Sequence, residues 1–281
     1  MRARTAIAVV VVIAIVLVGS VGYAAVGFAF ATNRISSADK TLNTVISHQN
    51  QLTATFTDLD AQLQSLTGSA SFNPQQALVL VDKAMQDSKQ AVTTIDKDNA
   101  SLIAEANRLD EIRWLAMVSR SSLDAESNRL VHARAALAAA RTVSADELLD
   151  GNFWHPLYSA LVDLGTLTAQ SNAGDVTGQT STLATMKSDV AEAVKQSASP
   201  GLPADLQALM VDFQTFVADF GKELDAQAAG DNAGVAGHAA DIQKDLNKIG
   251  SYDVDTMGRE IDAFYKPLID RFNSEMAAAT A

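Results

Sequence analysis

The chain has 281 residues, 48% of them apolar, no cysteine and a formal charge of −12. Without cysteine there is no disulfide, no thiolate metal site, no cysteine nucleophile and no lipid attachment through an N-terminal cysteine, so packing alone must stabilise the fold. Setting aside Arg2 and Arg4 takes the charge of the remainder from −12 to −14, a surface that repels phosphates and excludes nucleic acid or a broad grip on anionic lipid.

The first element is apolar. From Thr5 to Thr32 there is no charged side chain, and Ile7 to Val18 is almost wholly Ile, Val, Leu and Ala. A membrane-spanning helix needs roughly twenty apolar residues, so residues 1–32 are expected to be a transmembrane signal-anchor that contacts membrane lipid through residues 5–32. Arg2 and Arg4 favour a cytoplasmic N-terminus and an extracytoplasmic body. The competing reading is a cleaved signal peptide and secretion, since Tyr23-Ala24-Ala25 and Ala29-Phe30-Ala31 resemble small-residue cleavage sites.

Residues 33–143 are expected to form a long-helix bundle section. Ile35, Ala38, Leu42, Val45, Leu52, Phe56, Leu59, Leu63 and Leu66 alternate three and four apart with Gln49 filling one place, a heptad seam. No Gly or Pro lies between Gly27 and Gly68, so the span is expected to continue outward as the first bundle helix. Asn73-Pro74 then reads as a helix start, with Asn as N-cap and Pro at the first helical position. The returning helix carries a seam through Leu78, Val81, Met85, Val92, Ile95, Leu102, Ala106 and Leu109, with Ser88 and Asn99 in two of its places. Its register fails near Trp114, and Ser119, Ser121 and Ser122 offer an N-cap for a third, Ala-rich helix through Leu130, Leu137 and Ala140.

Residues 144–281 are expected to be a helical-hairpin section. Ser144 and Glu147 read as a capping box opening a short helix that stops at Gly151. Ala173-Gly174-Asp175 recurs as Ala229-Gly230-Asp231. At the same offset Leu161 matches Val217, Gly165 matches Gly221, Gly178 matches Gly234, Met186 matches Ile242, Asp189 matches Asp245 and Val190 matches Leu246. This predicts a duplicated hairpin over about 161–194 and 217–250, with Gly ending one helix in a left-handed turn and Asp capping the next. The last helix starts near Asp253 or Asp255, and Pro267 is expected to kink it.

Chemistry is sparse. His48, His132, His155 and His238 fall on separate elements with no metal-ligand spacing, and no G-x-S-x-G, H-E-x-x-H, P-loop or dinucleotide motif occurs. No catalytic residue, cofactor or metal is expected, and the protein is not read as an enzyme. Two patches stand out. Phe153, Trp154, His155 and Tyr158 cluster around Pro156 at an expected loop-to-helix entry, either as a partner or ligand patch or as a hydrophobic staple. Counting back along the long hairpin places Trp114 level with Phe28. Arg108, Ile112, Arg113, Trp114, Leu115, Met117, Val118 and Arg120 therefore read as a tip resting in the outer membrane interface, against the competing reading of Trp114 as bundle core.

The layout of basic stub, single span and antiparallel bundle resembles the extracytoplasmic half of bacterial chemoreceptors and sensor kinases over Met1 to about Thr142. The resemblance is architectural, with no shared motif and no second apolar run, and assigns no family. The expectation is an all-α protein: an N-terminal transmembrane helix continuing into an elongated antiparallel bundle, followed by shorter αα-hairpins. It would act by contact as a scaffold or accessory subunit of a bacterial cell-envelope assembly, with a protein partner. The alternative is an extracytoplasmic module binding a small ligand or peptide in a pocket between helices.

Overall fold

A computed structural model describes residues 29–67, 73–112 and 119–281. Among them are seven helices and no strand: α1 Ala29–Thr67, α2 Pro74–Ile112, α3 Arg120–Ala173, α4 Val176–Gln196, α5 Ala204–Ala229, α6 Asn232–Ile249 and α7 Val254–Thr280. The all-α helical bundle stands. The expected span lies outside the described residues except for 29–32, which open α1, and no helix among the described residues is long and apolar enough to cross a membrane.

Local chemistry sets several boundaries. Asn73 Oδ1 accepts hydrogen bonds from the backbone N–H groups of Gln75 and Gln76 at 3.1 and 3.3 Å, so α2 starts at Pro74 with its free donors satisfied. Asp253 accepts from the backbone N–H of Thr256 at 3.0 Å and starts α7 in the same way.

The third helix departs from expectation. Ser144 and Glu147 open nothing, and Gly151 stops nothing: α3 runs unbroken for 54 residues with Pro156 inside it. Pro156 removes one N–H from the helical ladder, a local cost of about 3 kcal/mol. Against this, Phe153, Leu157, Ala160 and Leu167 are buried on one helical face, and each large apolar side chain contributes roughly 1.5–3 kcal/mol on burial. The buried face outweighs the missing bond. Gly151 serves packing, because a Cβ there would overlap Met85 Cγ on α2.

The chain divides into two compact units. The seam unit comprises, within the described residues, 29–60, Asp87–Ala145 and Tyr265–Ala281. Its core joins Leu42 and Val45 of α1, Ile95, Leu102 and Leu109 of α2, Leu123, Leu130 and Leu137 of α3, and Ala279 of α7. The strict alternation of α2 puts Asp98 between Ile95 and Leu102, and Glu105 between Leu102 and Leu109, each 5% exposed, while α3 buries Glu126 at 4%. Buried charges need partners. His48 Nδ1 meets Asp98 Oδ1 at 2.8 Å, Arg108 donates to Glu105 Oε1 at 2.6 Å, and Arg129 donates to Glu126 Oε2 at 2.9 Å. Burial still pushes the Asp98 and Glu126 carboxyls above their ordinary values, against the pull of His48 and Arg129 respectively. Gln49 and Ser88 are buried in the seam as expected, whereas Asn99 stands at its margin and accepts from Arg134 Nε at 3.2 Å.

The hairpin unit comprises Ala61–Gln86 and Asp146–Phe264. Its core unites Phe153 and Leu167 of α3, Met186 and Val190 of α4, Met210, Phe213 and Phe216 of α5, and Met257 of α7. The two Gly-Asp turns agree bond for bond. Gly174 and Gly230 have φ of +70° and +72° and follow the last residues of α3 and α5. Asp175 N donates to Gln170 O at 3.0 Å, and Asp231 N to Ala226 O at 2.9 Å, the same six-residue closure of a left-handed cap. Asp175 then accepts from Gly178 N at 2.8 Å and Asp231 from Gly234 N at 2.9 Å, capping α4 and α6. α5 packs on both α4 and α6.

Candidate functional site

The largest opening in the hairpin unit is a groove of about 1010 Å³ bounded by α2, α3 and α4, near the upper end of typical ligand-site volumes. Asp82 and Met85 come from α2, Asn152, His155 and Pro156 from α3, and Ser188, Asp189, Glu192 and Lys195 from α4. Helix α2 can come close because position 151 is Gly, and Pro156 leaves the Asn152 carbonyl without its helical donor. His155 Nε2 stands 3.4 Å from Asp82 Oδ1. Lys195 is turned onto Glu192 at 3.2 Å.

The four aromatic-cluster residues are divided by the helix that carries them. Phe153 is fully buried in the core and meets Trp154 edge to face at 4.8 Å. Trp154 and Tyr158, one turn apart, stack at 5.7 Å and 23°. Only His155 borders the groove. Of the expected interface tip, Arg113, Trp114, Leu115, Met117 and Val118 lie outside the described residues. Arg108 is bound to Glu105, Ile112 packs against the seam core, and Arg120 is exposed at the start of α3.

A pair of carboxylates belongs to each hairpin. Asp189 on α4 borders the groove, and Asp163 on α3 lies within electrostatic reach of it. The 56-residue offset that relates the two turns carries Asp163 onto Asp219 and Asp189 onto Asp245, and this second pair also interacts across its hairpin. Burial first and Asp189 second push the Asp163 carboxyl above the carboxylate range, and its Oδ2 is buried without a hydrogen-bond partner. Burial likewise raises Asp189, with His155 pulling the other way. In the second hairpin an ammonium is present: Lys222 Nζ donates to Asp219 Oδ1 at 2.6 Å, and the bond to Asp219, with Asp241 and Asp245 nearby, holds Lys222 above its usual value. The residue of the first hairpin that corresponds to Lys222 is Thr166.

Nearby, Asp212 on α5 accepts from Lys248 Nζ at 2.7 Å and from the Tyr252 hydroxyl at 2.6 Å, tying the end of α6 to α5. These bonds lower Asp212, and the one to Asp212 pushes the Tyr252 phenol up to about 12. The seam unit has a smaller groove of about 440 Å³ between α1 and α2, bordered by His48, Asp98, Glu105 and Arg108, whose charges are already matched in pairs. The described residues contain no group of three side chains able to hold a metal ion. Compared with known protein families, curated proteins and solved structures, the chain matches none.

The sequence reading missed Asp98, Glu105 and Glu126 as core residues, and Asp163 as the neighbour of Asp189. The heptad spacing itself pointed to the first three. The repeat offset pointed to the fourth.

Proposed function

We propose that this is a membrane-tethered, extracytoplasmic helical protein that works by contact, as a scaffold or accessory subunit of a cell-envelope assembly. The tether is the uncharged run from Thr5 to Thr32. The observation that supports contact is an asymmetry between the hairpins. Met186 and Val190 on α4 are fully buried, whereas on α6, which has no buried residue, Ile242 is only partly covered and Leu246 is 45% exposed. Further along the chain Val254 and Phe264 are 52% and 47% exposed. The first hairpin is covered by α5. The corresponding apolar positions of the second are open to a partner protein.

Photocrosslinking tests this. A photoreactive residue at position 246, in membranes from the native host, should give one discrete adduct, and the same residue at the exposed Val131 position should not. Equal or absent adducts at both positions refute contact through α6. Amino-terminal sequencing of the mature protein tests the tether, and a mature terminus at Val26 or Thr32 would replace it with secretion. A second reading, a ligand- or peptide-binding module, is favoured by the groove that His155 and Asp189 border.

A further inference from the structure

The two hairpins share their turns, their caps and their carboxylate pairs, and they differ in one charge. In the second, Asp219 and Asp245 have an ammonium from within the chain, Lys222, one helical turn beyond Asp219. In the first, Thr166 occupies that place and bonds its hydroxyl to the Val162 carbonyl at 3.1 Å. No lysine replaces it from elsewhere in the unit: Lys195 is engaged by Glu192, and Lys187 packs over Gly221 on α5. The charged groups acting on this pair are each other and His155, itself set against Asp82.

Two adjacent carboxylates repel and are costly to keep ionised without a counter-charge. The second hairpin shows what suits such a pair, and Asp189 of the first borders an open groove. We propose that this groove is a binding site for a primary alkylammonium group, held by Asp189 with Asp163 behind it. The Asn152 carbonyl, freed by Pro156, offers a further acceptor, and Met85 and Pro156 give apolar wall for an alkyl chain. Lysine side chains and free alkylamines share this chemistry. The inference rests on the second reading above and is independent of the α6 face, so failure of the crosslink at position 246 leaves it standing.

The test is titration of the full chain with Nα-acetyl-lysinamide and with n-butylamine, followed by the His155 ring signals in NMR spectra and assigned by their loss in His155→Gln. Both probes should shift these signals saturably, and Nε-acetylated Nα-acetyl-lysinamide should not. Tighter binding of the lysinamide supports a polypeptide ligand; equal binding supports a free amine. Asp189→Asn should weaken binding at least tenfold, and Asp245→Asn, its counterpart in the other hairpin, should leave it unchanged. Thr166→Lys supplies the missing ammonium internally, one turn from Asp163, and should also displace the probes at least tenfold. Unsaturable shifts, an equal response to the acetylated probe, or undiminished binding in folded Thr166→Lys would overturn the proposal.

Discussion

Gly151→Ala isolates the packing that keeps α3 continuous. In the interior of an exposed helix this change stabilises by about 1 kcal/mol, since Gly loses more backbone entropy than Ala. Here the new methyl would overlap Met85 Cγ and stand 3.0 Å from its Sδ. Forcing an added carbon into a filled contact costs about 1–3 kcal/mol. The clash should therefore win, for a net loss of up to about 2 kcal/mol; at roughly 2–4 °C per kcal/mol, that is several degrees in the melting temperature. In a Met85→Ala background the obstruction is gone, and Gly151→Ala should stabilise by up to about 1 kcal/mol. The sign reverses between backgrounds, which gives a coupling of about 1–3 kcal/mol in a double-mutant cycle. Urea unfolding of the four proteins, followed by circular dichroism at 222 nm, reads this directly. If Gly151→Ala stabilises the Met85 protein as much as the Met85→Ala protein, α2 does not lie against Gly151 and the account of α3 fails.

Gly174→Ala and Gly230→Ala should each destabilise by about 1–2 kcal/mol, because both glycines have positive φ and a Cβ meets no neighbour at either; unequal costs in urea unfolding would show that the turns are not equivalent. Asp163→Asn should change the pH dependence of stability. A native carboxyl with a raised pKa keeps its proton where the unfolded chain has lost it, so the wild type loses stability as pH rises from the ordinary carboxylate range through the native value. The Asn variant should then be the more stable protein at neutral pH and lose that advantage in acid, as urea unfolding across pH will reveal. Asp212→Asn should return the Tyr252 phenol from about 12 toward 10, read by ultraviolet absorbance titration; in the wild type, the stability from that bond is complete below 10 and fades as pH rises toward 12. Phe153→Ala should cost about 3–5 kcal/mol in thermal or urea unfolding, as expected for a fully buried ring.

What could be read from the chain was what local chemistry decides. The Gly-Asp turns were legible because a left-handed cap and an N-cap each need one residue type at one position, and Asn73-Pro74 for the same reason. The seam of α1 was legible through Leu42, Val45 and Leu59, which are buried. Its counterpart on α2 was placed one residue off, at Asn99 and Ala106, because acidic side chains were taken to face water. The alternation from Ile95 through Leu102 to Leu109 lands on Asp98 and Glu105, and only the positions of His48, Ser37 and Arg108 make those burials affordable. The end expected at Gly151 failed for the converse reason: Gly and Pro weaken a helix locally, and the fate of α3 was decided by Met85, distant in sequence. The aromatic cluster, compact in sequence, dispersed because a helix turns successive residues through different faces.

The guanidinium of Arg129 has acceptors from three different times in the life of the chain. Glu126 is three residues away, Asp39 was made 90 residues earlier, and the Ala279 carbonyl comes 150 residues later. At a synthesis rate of about 5–20 residues per second, the last of these arrives roughly 8–30 s after Arg129 itself. Throughout that interval the seam unit lacks its closing strip of α7, while the hairpin unit between them is being completed. The order of assembly is thus the reverse of the order of synthesis: the unit begun first is sealed last, and the nascent chain must keep an unfinished apolar seam from other molecules until its final turns are made.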